Sequence, residues 1–393
     1  MTAYPVTAYL DNAATTPLCP EARQAMEPWL GERFGNPSGA HRVARTARQA
    51  VDEARDTVAQ VLGTEPGDVV FTASGTEADN LAVLGRALAS PGPVVVSAVE
   101  HHAVLHAARA ASRLAGSELR TVPVTGEGAV DLEALAAALD PSVSVVSLQL
   151  VNNEVGTLQP LAHAARLVRR RAPNAALHTD AVQAVAWYDV AELAAGADMV
   201  SISAHKFGGP QGVGALALRR PVHLEPVVHG GPQERERRAG THNVAGIVGM
   251  AVALETAARE RAAASERVRG LRDELCRGLL ALVPGARETA AGQERAPGHC
   301  HLLIEGVESE ALLVLLDEYG VAASAGSACA SGALEQSHVL AAMGWGGRDF
   351  GALRLTLGHG STPVDVELAL QAVPEAARRL RAGPAKEHRC VPW

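Results

Sequence analysis

The 393-residue sequence predicts an α/β protein: a large domain built on a mostly parallel sheet, and a smaller C-terminal α/β domain. Two observations predict it. From about residue 69 short β-type runs alternate with helix-length segments, and after "THNVAGIVGM" a stretch rich in Ala, Glu and Arg continues to about Leu280 as one extended helix. That helix is the expected boundary, with the large domain over 15–258 and the small domain over 1–14 and 259–393.

The strand candidates of the large domain are, in order, "VVFTAS", "VVVSAV", "LRTVPV", "VSVVSLQL", "AALHTD", "MVSIS" and "ALALRR". Their near-continuous apolar character suits strands covered on both faces. Between them, "TEADNLAVLGRALA" and "HHAVLHAARAASRLAG" space apolar residues at about 3.6, as crossover helices do. Beyond the long helix, "HLLIEG", "ESEALLVLLDEYG", "SHVLAAMG", "ALRLTLG" and "PVDVELALQAVPEAARRL" supply the smaller unit, and "AGPAKEHRCVPW" reads as a loose tail.

Composition removes several function classes. A formal charge of -8 with acidic and basic residues interspersed leaves no footprint for direct nucleic-acid binding. No apolar run is long enough for a membrane span, and the N-terminus lacks the basic and apolar regions of a secretory signal. The five cysteines form no CxxC pair, which fits a reducing cytoplasm and implies that any important cysteine acts singly.

Chemistry gathers at strand ends. In "SISAHKFGGPQGVGALAL" Lys206 follows a strand, flanked by Ser203 and His205, where a deprotonated amine could form a Schiff base; an exposed loop lysine is the plainer reading. "VVFTASGTEADN" ends a strand and opens a helix with the S-x-x-E capping pattern, and Gly75 and Thr76 would let backbone amides approach a phosphate; a simple helix cap remains the alternative. "ALHTDAVQAV" places Asp180 at a strand end with Gln183 three residues on, so that the carboxylate either caps a helix or meets a protonated ring nitrogen. "VEHHAV" presents His101 and His102 at a helix start, structural or able to stack on a ring and shuttle a proton. A ring partner, a stacking group, a phosphate cradle and an amine on one sheet edge are the needs of pyridoxal phosphate. Separately, Cys329 in "VAASAGSACASGALEQSHVL" is surrounded by Ser, Ala and Gly, too small to build a core around it, so a mobile and exposed nucleophile is expected.

The collinear pieces "YLDNAATTP", "FGNPSGAH", "FTASGTEADN", "VEHHAVL", "VNNEVGTLQP", "HTDAVQAV", "SAHKFGGPQGVGAL", "RRAGTHN" and "SAGSACASGALEQSHVL" resemble the cysteine desulfurases of the class V aminotransferase group. The resemblance implies a fold-type-I pyridoxal-phosphate enzyme and assigns roles. Lys206 would hold the cofactor and take the substrate's α-proton, Asp180 would pair with the pyridine nitrogen, Gln183 and Asn153 would approach the phenolic oxygen, and His101 would stack on the ring. Gly75, Thr76, Ser203 and His205 would hold the phosphate, with Thr241 reaching it from the second subunit of a homodimer. Arg354 would grip the substrate carboxylate, with Asn36 nearby.

The resemblance further implies conversion of L-cysteine to L-alanine, with sulfur held on Cys329 as a persulfide for a sulfur-acceptor protein, an iron-sulfur scaffold or a thiolation protein. The loop around Cys329 is similar to that of the long-loop group. No metal site is implied beyond a transient iron-sulfur contact at Cys329. The sequence departs from the family at Ala330, where threonine is frequent, and at His359, where arginine often stands. Selenocysteine lysis, another class V reaction such as transamination, and a non-catalytic sulfur-pathway subunit are the alternatives.

Overall fold

The computed structural model describes residues 8–326, 337–346 and 350–382. After a short first strand, β1 (Ala8–Tyr9), seven strands build the large sheet. They are β2 (Val69–Thr72), β3 (Val94–Ser97), β4 (Leu119–Val122), β5 (Val145–Ser147), β6 (Ala176–Asp180), β7 (Met199–Ser203) and β8 (Gly214–Leu218). Their order across the sheet is β2-β8-β7-β6-β5-β3-β4. Only β8 runs against its neighbours, and the other pairings are parallel.

Alternation explains the two cores flanking this sheet. Val69, Phe71, Val95, Val146, Leu177, Val200 and Ile202 enter one apolar cluster, while Val70, Val94, Val96, Val145, Ala176 and Met199 enter another. Both faces are therefore covered, as the valine-rich runs require. Most of the strands stop short of their sequence runs, and two show why. β4 stops before Pro123, which has no N–H to extend the ladder. Past Ser147 the chain still bonds to the β6 strand, through Leu148 N–H to the His178 carbonyl at 3.1 Å and Leu150 N–H to the Asp180 carbonyl at 2.8 Å.

The helix Val244–Leu282 has 39 residues. At 1.5 Å per residue it is about 58 Å long. Its first half packs Ile247 and Leu254 into the large core; its second half carries Val268, Leu271 and Leu275 into a separate core. There β9 (Ala286–Glu288), β10 (His299–Glu305) and, after β11 (Val321–Ala322), β12 (Phe350–Thr356) meet it. β10 lies between β9 and β12, antiparallel to both.

The N-terminal segment joins the two regions. β1 pairs in parallel with β11, Ala8 opposite Val321, and Leu10 is fully buried in the second core. A few residues on, Thr16 N–H donates to the His205 carbonyl at 2.8 Å in the large domain. Residues between these anchors are held beside the turn that carries Lys206.

Candidate active site

A cavity of about 590 Å³ opens at the carboxyl ends of the parallel strands, where open α/β sheets take ligands. β2 leads into it through Ser74, whose Oγ accepts from Glu77 N–H at 3.1 Å, while the Glu77 carboxylate accepts from Ala73 N–H at 2.8 Å. The S-x-x-E signal thus does start a helix. A Cβ at Gly75 would stand 2.8 Å from Val182 Cγ2 and 3.1 Å from Ser203 Cβ, so only glycine lets this helix start close against the turns after β6 and β7. Thr76, Ser203 and His205 line the same end of the cavity. Backbone amides, hydroxyls and a helix start suit a phosphate-sized anion there.

Lys206 follows β7 on a single turn, and its Nζ donates to the Ala13 carbonyl at 2.5 Å and the Ala14 carbonyl at 2.8 Å. Burial and the Arg354 guanidinium push the ammonium down from 10.5 to about 8, against the opposing pull of Asp180 and Asp11. Gln183 Nε2 shares the Ala13 carbonyl at 2.8 Å. Asp180 accepts from Val182 N–H at 2.9 Å and is 7% exposed. Its carboxyl behaves as a cap in that one bond, yet no helix follows it, and burial raises it to about 6.

His101 caps the helix His102–Ala115, its Nδ1 accepting from Ala103 N–H at 3.2 Å. Its ring borders the open cavity and so keeps accessible surface, but the surrounding protein bulk, then Lys206 and the neighbouring histidines, hold it down at about 4. His205, bonded to Thr15 Oγ1 at 3.1 Å, is lowered to about 4 by burial and by Lys206. Both imidazoles are neutral near pH 7 and cannot compete with Lys206 for positive charge. Arg354 comes from β12, bonds the Asn153 carbonyl at 2.9 Å and pairs with Asp11 at 2.6 Å, and its buried Nε has no partner among the described residues.

The cavity therefore gathers Gly75, Thr76, His101, Asn153, Asp180, Gln183, Ser203, His205, Lys206 and Arg354. Two sequence expectations lie apart from it in the single chain. Asn36 is exposed and turns its side chain to Ser38 N–H, and Thr241 is exposed at the end of a loop anchored by the Arg238–Glu77 ion pair at 2.7 Å. Cys329 lies outside the described residues. Sequence reasoning missed Asp11, Asp79, Glu154 and His338, all at the cavity. It also passed over a plain signal for its own anchor: the chain has two lysines, Lys206 and Lys386, every other side-chain cation being arginine or histidine.

The sequence matches the family described as aminotransferase class-V over residues 8–368. The chain belongs to that family. Among its relatives, a cysteine desulfurase of Cereibacter sphaeroides is 44% identical, covering 95% of this chain and 96% of its own length. An IscS-like cysteine desulfurase of Mycobacterium tuberculosis is 43% identical, covering 95% of this chain and 97% of its own. Among solved structures, a NifS-like protein superposes with a TM-score of 0.86 at 34% identity, over 95% of this chain and 100% of that one. In this class-V member the cavity brings together an amine, a buried acid and a helix start lined by hydroxyls.

Proposed function

We propose that this enzyme is a pyridoxal-phosphate-dependent cysteine desulfurase that converts L-cysteine to L-alanine and leaves the sulfur on Cys329. The observation that carries the reading is Lys206 at about 8, held by two backbone carbonyls beside a buried Asp180. The residues fit the cofactor. The cradle at Gly75 has no room for a side chain, and among the described residues Asp180 has one backbone hydrogen bond and no cation but Lys206 to balance it. When bound, pyridoxal phosphate supplies an electron sink for charge that develops at the substrate's Cα.

The chain's own groups do the rest. Arg354 gives its fork to the substrate carboxylate, exchanging Asp11 for it, which orients the α-proton toward Lys206. Lys206, free of its proton in part at neutral pH, takes that proton as general base. His101, a neutral imidazole, would help hold the cofactor's ring, and Gln183 and Asn153, which line the same cavity, would offer it polar groups. The Cys329 thiolate would then bond to the substrate sulfur as the Cβ–S bond breaks, the pair of that bond staying on carbon; one proton delivered to Cβ makes the methyl group, and the proton held by Lys206 returns to Cα to complete alanine. The persulfide passes to an acceptor protein.

Two chains form the working unit in this reading. Thr241 is exposed and absent from its own chain's cavity lining, while Arg237 and Arg238 behind it are tied to Asp68 and Glu77, so the loop is braced to present Thr241 outward to a second copy's phosphate site. The division at 258/259 falls within the helix that spans both cores. No described helix is long and apolar enough to cross a membrane, and a cytoplasmic location follows from the cysteine usage.

The deciding experiment measures alanine and protein-bound persulfide from L-cysteine. Wild-type protein is expected to give both, Cys329→Ser neither at speed. Full turnover by Cys329→Ser would overturn the persulfide route, and a purified protein with no Lys206-dependent visible absorbance would overturn the cofactor.

A further inference from the structure

Beneath Asp180 lies a second buried acid that the reaction does not use. Asp79, on the helix that starts at Gly75, is 1% exposed, and its carboxylate oxygen comes within 4.8 Å of donor atoms of both Asp180 and His101. Its Oδ1 makes no hydrogen bond among the described residues; His178 Nε2 is 3.5 Å away. His178 is itself spoken for, with Nδ1 at 2.8 Å from Ser147 Oγ and Nε2 at 2.9 Å from Ser201 Oγ.

Among the described residues no cation is paired with Asp79. Strand β6 offers Asp180 and His178, β7 offers Ser201, the segment after β3 offers Glu100, and the helix His102–Ala115 begins at His101. Burial holds His178 neutral, down at about 3, and Glu100 is also buried and pushed upward. Two acids this close, out of water, cannot both be ionised. Asp180 takes the charge, because it alone has a backbone N–H on its carboxylate and Lys206 in range.

We propose that Asp79 is a positioning residue kept as the neutral acid, whose retained proton leaves the negative charge of this pair on Asp180, where it would serve the ring nitrogen of a bound cofactor. Burial, the charge of Asp180 and Glu100 all push Asp79 well above the ordinary carboxyl range, while a bond to Ser201 opposes them. The proposal rests on the cofactor reading of the pocket, but it makes a separable claim about protonation.

Asparagine is neutral, similar in shape and still a donor, so it is the decisive replacement. Carbon-13 spectra of aspartate-labelled protein, recorded without added pyridoxal phosphate, should hold one carboxyl at neutral pH with the shift of an undissociated acid, missing in Asp79→Asn. A dissociated Asp79 resonance overturns the proposal. In holoprotein, Asp79→Ala should weaken cofactor binding about tenfold, and Asp79→Asn should restore it to within about threefold with an unmoved pH midpoint of the visible band. Asp79→Asn failing as badly as Asp79→Ala would show that the anion is needed and would overturn it too. Should Asp79→Asn not fold, the wild-type resonance, assigned through the Ala78–Asp79 backbone, decides alone. A neutral Asp79 in a protein that takes up no pyridoxal phosphate sinks the functional reading and leaves the protonation assignment supported.

Discussion

Two hollows of about 590 Å³ each hold a buried acid, and they treat it in opposite ways. In the first, Glu234 accepts two bonds from Arg55 at 2.7 and 2.8 Å, one from Phe71 N–H at 2.9 Å, and faces His242 Nε2 at 2.6 Å. Burial pulls its carboxyl up, but the bonds from Arg55 and His242 outweigh it and bring it to about 2. Glu234, Arg235 and Glu236 all have positive φ, 49°, 57° and 65°, a backbone cost that this net of bonds holds in place. In the second hollow Asp180 has one backbone bond, and Asp79 Oδ1 has none among the described residues. An acid whose partners are all in the chain is architecture. An acid left short of partners marks where a ligand belongs.

The comparison breaks most visibly at Lys206. Lys206→Ala should lower cysteine turnover by about a thousandfold or more while the melting temperature of the ligand-free protein stays within about 2 °C, since the lysine serves the ligand and not the fold. A large loss of stability would put Lys206 in the first class of site. Glu234→Gln should behave in reverse, costing about 3 kcal/mol at neutral pH by denaturant titration because Arg55 loses its counter-charge and the bond with His242 is weakened. That cost has a pH window. A carboxyl lowered from 4.5 to about 2 contributes its stability above 4.5 and loses it as pH falls toward 2, so wild type and Glu234→Gln should converge in acid.

Asp180 carries the opposite sign. Its carboxyl is raised from 3.8 to about 6, so its contribution is whole below 3.8 and is lost as pH rises through about 6. Ligand-free Asp180→Asn should therefore be more stable than wild type above pH 6, by about 3 kcal/mol, even as it binds pyridoxal phosphate more weakly. Equal stability at pH 8 would erase the contrast between the hollows. The finest test is kinetic: acylation of Lys206 in ligand-free protein should rise with pH to a plateau with a midpoint near 8, not near 10.5, followed by mass spectrometry of the Lys206 peptide.

What could be read in the sequence was local. Ser74 with Glu77, Asp180 at the end of "ALHTD" and Lys206 after "MVSIS" are each spelled within a few residues, and a parallel sheet puts successive strand ends on one edge. The long helix was legible because alanine, glutamate and arginine persist without a breaker. The Asp11–Arg354 pair joins residues 343 positions apart, and the bond from Ser337 Oγ to Glu154 at 2.5 Å spans 183; no periodicity announces either. Asp79 was hidden differently, since in "GTEADN" it reads as one more polar residue of a capped first turn. The lysine count was legible and overlooked. In a chain that otherwise uses arginine, a guanidinium cannot give up its proton to become a nucleophile, so Lys206 marks chemistry that arginine cannot do.

The pairing of β1 with β11, and of Asp11 with Arg354, sets an order of events during synthesis. The carbonyls of Ala13 and Ala14 that steady the Lys206 amine sit on a segment clasped by strands near the other end of the chain, with Asn12 bonded to the Thr356 carbonyl at 2.8 Å. A nascent chain on the ribosome has its large sheet long before it has those strands. Its amine stays unpositioned until the chain has been made through Arg354 and Thr356, so copies that stop short of them do not assemble the complete reactive centre.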